Sequence, residues 1–125
     1  MRDFRKLDIW SKGVSIVKDV YALSENIPQK EKFGLISQMQ RCAVSIPSNI
    51  AEGCSRNSEI EFKRFLEMAI GSSFELETQL ILCIEIGYTE RENLESLLTD
   101  LHLLQKQINS LISKIAKSPK PVAKS

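Results

Sequence analysis

One histidine, three cysteines and no long apolar run leave this 125-residue chain few of the usual parts of a reactive site. His102 stands alone between Leu101 and Leu103, so no second imidazole is there to share a metal or assist a nucleophile. Cys42, Cys54 and Cys83 are odd in number and lack any C-x-x-C or Cys/His zinc spacing. Cysteines set in apolar helical patterns behave as small hydrophobes. The longest apolar run, Leu80 to Ile84, stops at Glu85, far short of a bilayer span. Residues 1–8 are largely charged and do not resemble a signal peptide, so the expected compartment is the cytoplasm. Charge of one sign is also missing. Seventeen Lys and Arg meet sixteen Asp and Glu, a net +1, without the basic excess of a dedicated nucleic-acid binder.

The balance is uneven along the chain. Glu59, Glu61, Glu67, Glu75, Glu77 and Glu85 crowd the third quarter against Lys63 and Arg64. Arg2, Arg5 and Lys6 at one end, and Lys114, Lys117, Lys120 and Lys124 at the other, make both ends basic.

Strand-like alternation is absent, and apolar residues recur at helical spacing almost throughout. A first helix is expected from Leu7 to Leu23. Leu7, Trp10, Val14, Val17 and Tyr21 form one stripe; Ile9, Ile16, Val20 and Leu23 form another beside it. That breadth predicts deep burial or a second contact surface. Pro28 suits the first turn of a second helix, whose seam runs Phe33, Ile36, Met39, Ala43, Ile46 and Ile50. Pro47 lies inside it and predicts a kink, because proline lacks the amide that would bond the Ala43 carbonyl. The apolar phase continues across Pro47, so one helix ending near Gly53 is expected rather than two.

Ser58-Glu-Ile-Glu61 is a capping box opening a third helix, with the seam Phe62, Leu66, Ala69, Ser73, Leu76, Leu80 and Cys83. Gly71, Ser72 and Ser73 are small residues at its middle, where another helix could approach closely. Gly87 ends it, and Thr89-Glu-Arg-Glu92 is a second capping box. The fourth helix has the strictest rhythm: Leu94, Leu97, Leu101, Leu104, Ile108, Leu111 and Ile115. Residues 118–125 carry too little apolar content to pack and are expected to form a disordered basic tail after a single domain over 1–117. Short connections imply an all-α, up-down-up-down antiparallel four-helix bundle. Helices two to four would each be roughly 25–29 residues, about 40 Å long at 1.5 Å per residue. A shorter first helix would leave part of them uncovered, which favours self-association.

The most distinctive segment is Arg41 to Gly53. Arg41, Ser45, Ser48, Asn49 and Glu52 share one helical face, so this polar row belongs in a core or between subunits. It has no base beside a serine and no paired carboxylates, so an assembly role is expected and an enzymatic one is not. Glu75 on the third helix is the expected partner of Arg41, through a bidentate bond that would fix helix register. Glu75 and Glu77, two apart, diverge and do not form a metal pair. Asn49 is expected to tie down backbone freed by Pro47. Arg56, Lys63 and Arg64 gather near the turn between helices two and three, and with Lys114 and Lys117 are the candidate nucleic-acid contacts. No P-loop, dinucleotide turn, zinc spacing or helix-turn-helix pattern is present, and Phe62 and Phe65 are phased with the core rather than exposed for base stacking. No cofactor and no metal are expected.

The pattern Gln38-x-x-Arg41-x-x-x-Ser45-Ile-Pro-Ser-Asn-Ile-Ala-Glu-Gly53, followed by Arg56-x-Ser58, Phe65-Leu66 and Ala69-x-Gly71-Ser-Ser73-x-Glu75-x-Glu77, resembles the four-helix-bundle proteins named for intervening sequences in bacterial 23S rRNA genes. The opening Phe4 to Trp10 and the turn Ile86-Gly87-Tyr88 are similar to that family as well. The resemblance spans nearly all of the chain except the tail. It implies a homo-oligomeric ring, commonly a pentamer, and kinship with the accessory protein of diversity-generating retroelements, which partners a reverse transcriptase and binds nucleic acid. It supplies no catalytic residues. The family's shared polar positions fall here on Arg41, Ser45, Ser48, Asn49, Glu52, Arg56, Ser73 and Glu75.

Overall fold

Four helices in antiparallel up-and-down order make up the computed structural model, which describes residues 1–117: α1 (Asp8–Ser24), α2 (Leu35–Cys54), α3 (Glu59–Ile86) and α4 (Arg91–Lys117). No strand occurs among the described residues. The expected tail, 118–125, lies outside them. In cross-section the helices form a square. α2 packs most extensively on α3, while α1 and α3, like α2 and α4, face each other across a diagonal.

The heptad-like seams close the core as their spacing requires. All seven seam residues of α3, Phe62 to Cys83, are buried. Leu94, Leu97, Leu101, Leu104 and Ile108 of α4 meet them, with Leu111 and Ile115 half-buried toward the helix end. On α1, Ile9, Ile16 and Val20 are buried, whereas Trp10 and Val17 pack at the margin and Tyr21 is exposed. Thus only one of the two α1 stripes belongs to the core.

α2 runs unbroken through Pro47, which is buried. Across the interface, α1 carries Gly13: a Cβ there would lie 3.3 Å from the Pro47 Cβ, so glycine lets the two helices approach over the proline ring. The start of α2 departs from expectation. Residues Gln29–Glu31 form a 3-10 turn, Gly34 takes a non-helical conformation (φ -110, ψ -110), and α2 begins only at Leu35. It is therefore 20 residues long rather than 25 or more. Phe33 consequently lies outside the helix, 89% exposed, and is not a core residue. A local reason is visible: the Glu31 carboxylate accepts from the Leu35 amide (3.2 Å) and caps the helix there.

The Ser58 hydroxyl caps α3, accepting from the Glu61 amide at 3.1 Å, and Gly87 ends it in the left-handed region (φ 95). The second capping box does not close: the Thr89 hydroxyl accepts from Asn93 Nδ2 (3.5 Å) instead. The N-terminal segment folds over the opposite end of the bundle. Its Arg2 amide bonds the Cys54 carbonyl (3.0 Å), and the Phe4 and Trp10 rings meet edge-on.

Candidate functional site

The polar row of α2 turns away from the core. Ala43, Ile46 and Ile50 face inward, which leaves Arg41, Ser48 and Glu52 exposed and Ser45 and Asn49 half-buried at the margin with α3. There Ser45 Oγ lies 2.8 Å from Ser72 Oγ, joining the two helices. Asn49 Nδ2 donates to both the Ser45 carbonyl and the Ser45 hydroxyl at 2.9 Å. The carbonyl that Pro47 leaves without its amide is that of Ala43, one turn-step away, so Asn49 braces Ser45 rather than the proline gap. Ser73 is buried and bonds back to the Ile70 carbonyl at 2.7 Å, as a serine within a helix commonly does.

The expected Arg41–Glu75 pair does not form. Both residues are exposed, and no ion pair joins them among the described residues. They flank Cys42, whose thiol is pushed up by burial, with Glu75 adding to the effect and Arg41 opposing it. Both charges act on that one thiol, so the helices bring them near each other without closing the contact. Glu77, one turn-step along, has partners instead. Its carboxylate spans from α3 to α4, bonding His102 Nε2 at 2.9 Å and Gln105 Nε2 at 3.0 Å. Partial burial by itself would raise this carboxyl, but the bonds from Gln105 and His102 outweigh it and hold the pKa below the ordinary value. Nothing in the one-dimensional pattern ties Glu77 to His102; only the register of α3 on α4 does.

The thiols are quiet groups. Burial raises Cys54 as well as Cys42, and it pushes Cys83, packed 3.6 Å from the Met39 sulfur, up to about 11. None has the depressed pKa of a nucleophile. Among the described residues no group of three His, Cys, Asp or Glu could hold a metal ion, and no helix is long and apolar enough to cross a membrane.

Up-and-down topology gathers the basic residues at one end. α3 leaves that end at Lys63 and Arg64; α4, almost equally long and antiparallel to it, returns there at Lys114 and Lys117. The turn carrying Arg56 and the segment carrying Arg2, Arg5 and Lys6 lie at the same end. Three arginines there are already engaged, Arg5 by Asp3 at 2.9 Å. Arg56 pairs with Glu52 (3.1 Å) with its guanidinium 5.0 Å from the Phe65 ring, and Arg2 pairs with Glu59 (2.7 Å) over the Phe62 ring at 4.0 Å. The sequence shows two separate basic termini and a basic turn; only the topology brings them to one end, where Glu59 and Glu61 also stand.

Two surface features escape the sequence reading. α3 is apolar outside as well as inside: Ile60, Met68, Phe74, Ile81 and Leu82 are all exposed. And α1 with α2 borders an open groove of about 430 Å³ lined by Tyr21, Ser37, Gln40, Arg41, Val44 and Ser45. Off-seam apolar residues on α3 were the available signal for the first; the groove has none.

Comparison with known proteins gives a consistent answer. No functionally curated protein matches the chain. Among solved structures, the chain is similar to a protein of unknown function from the S23 ribosomal protein family of Bacteroides thetaiotaomicron, with a TM-score of 0.77 and 27% identity. The match covers 83% of this chain and 97% of that one. Residues 5–110 match the family model described as 23S rRNA-intervening sequence protein, and the chain belongs to that family.

Proposed function

We propose that this protein is a non-enzymatic, cytoplasmic, homo-oligomeric scaffold, a ring of five in its finer form, that associates with RNA through the basic end of the bundle. One observation carries the nucleic-acid reading: Lys63, Arg64, Lys114 and Lys117 meet at one end of a chain whose total charge is almost neutral. Concentrating cations on one surface gives a phosphate backbone a local attraction that the net charge conceals.

Titration of structured rRNA fragments across a salt series tests it. Binding should weaken linearly with the logarithm of salt, and Lys63→Glu with Arg64→Glu should flatten that slope by about one for each phosphate contact removed. No binding at low salt overturns the RNA reading and leaves an oligomeric scaffold for a protein partner, such as a reverse transcriptase, with no nucleic-acid role. Sedimentation of a stable monomer at micromolar concentration overturns the assembly.

A further inference from the structure

The outer face of α3 carries large apolar side chains that its own chain leaves about half exposed. Phe74 is 52% exposed and Met68 49%, each about a turn from Gly71. A Cβ at Gly71 would meet no atom within 4 Å, so nothing within this chain requires glycine there. An exposed glycine in a helix interior weakens that helix relative to almost any other residue. Such a cost is offset where another helix must come close. Beside Phe74 stands Glu75, an exposed carboxylate without an ion-pair partner among the described residues.

The groove between α1 and α2 has the complementary features in the same adjacency. Tyr21 and Val44 give it apolar walls, and Arg41 stands at its rim, exposed and likewise without an ion-pair partner. An aromatic knob next to a carboxylate thus matches a groove that offers Tyr21 and Val44 beside a guanidinium, with Ser37, Gln40 and Ser45 completing its lining. Knob and groove lie on different helices of one chain, so the contact is head-to-tail and can be repeated around a ring.

We propose that a second copy of this chain docks at this groove, with Phe74 of one copy seated between Tyr21 and Val44 of the next and Glu75 paired with Arg41. The proposal rests on the homo-oligomeric reading above and adds its location. It also accounts for the outward turn of Arg41: the register-fixing arginine–carboxylate bond forms between chains instead of within one.

Sedimentation of the full chain and three variants tests it, with circular dichroism as the check on folding. Gly71→Leu fills space that is empty in the single chain, so it should fold with an undiminished thermal midpoint and yet associate about tenfold or more weakly, as loss of a central contact does. Arg41→Glu and Glu75→Arg, each alone, should weaken association similarly, because each sets like charges face to face. Mixed together, they restore opposite charges at every contact between unlike chains, which alternate around all but one contact of a five-membered ring, and association should recover in large part. Wild-type-like assembly of Gly71→Leu, or a mixture no better than its components, overturns the docking while leaving assembly intact. A wild-type chain that stays monomeric overturns both.

Discussion

Gly53 sits where α2 passes closest to the start of α3. A Cβ added there would lie 2.8 Å from the Phe65 Cβ and 3.1 Å from Phe62 Cδ1. Since the Phe65 Cβ is tied to its backbone, a swing of the ring cannot relieve the overlap. Gly53→Ala is therefore expected to destabilise the fold by about 1–3 kcal/mol, the range for overpacking, although alanine is the better helix former. Chemical denaturation reads the difference directly; a stabilised variant would show that α2 and α3 can separate at this point without cost. The same residue marks what could be read beforehand. Glycine at the end of a helix is a standard sign of termination, and α2 does end one residue later, at Cys54. The close approach to Phe65 is a matter of tertiary geometry and leaves no local trace. Arg41 shows the same limit. Its position on a helical face follows from spacing alone, and so does its separation from the seam of Ala43, Ile46 and Ile50. A plain amphipathic reading turns that face to solvent. Expecting an internal partner for the arginine is what sent the sequence reading inward.

Among the elements, the seams of α3 and α4 were legible, because long runs of strict three-four steps leave no competing register; the Thr89 cap expected for α4 was not, since that box does not close. The beginning of α2 was not. Residues 28–34 carry a helix-like proline and an aromatic in phase with the seam, but the chain there is held by a side chain from another part of the fold. Tyr88, in the turn after α3, donates its hydroxyl to Glu31 at 2.7 Å, and the other Glu31 oxygen accepts from the Leu35 amide. Those two bonds, the tyrosine's first, hold the Glu31 carboxyl below its ordinary pKa. The partner 57 residues away decides where α2 starts. Tyr88→Phe should release one side of this brace and loosen the other. Amide exchange at Leu35 is expected to speed up in that variant, while exchange at Met39, a turn further into the buried core, stays as in wild type. Equal acceleration at both sites would mean that the brace stabilises the whole helix rather than its first turn.

For the whole molecule, separation of charge matters more than its sum. α3 opens on an acidic first turn, Glu59 and Glu61, before Lys63 and Arg64, and the cations of α4 come back beside it, so a nearly neutral chain gathers cations at one end. Between the ends, α3 and α4 are joined by Glu77, whose two oxygens reach His102 and Gln105. This contact gives stability a direction in pH. The Glu77 carboxyl's folded-state pKa lies below the ordinary carboxylate value, so the unfolded chain takes up the proton first as pH falls. The contribution is complete above the unfolded value and is lost as pH drops through the folded one. Replacing Glu77 with alanine should cost about 1 kcal/mol at neutral pH, the scale of a partly exposed hydrogen-bonded carboxylate. The gap between wild type and Glu77→Ala should then narrow between neutral pH and about pH 3, as protonation removes from the wild type what the mutation has already removed. Urea denaturation of both chains across that range measures the gap. A difference that stays constant to low pH would assign the cost to lost packing between α3 and α4, not to the charge that joins them.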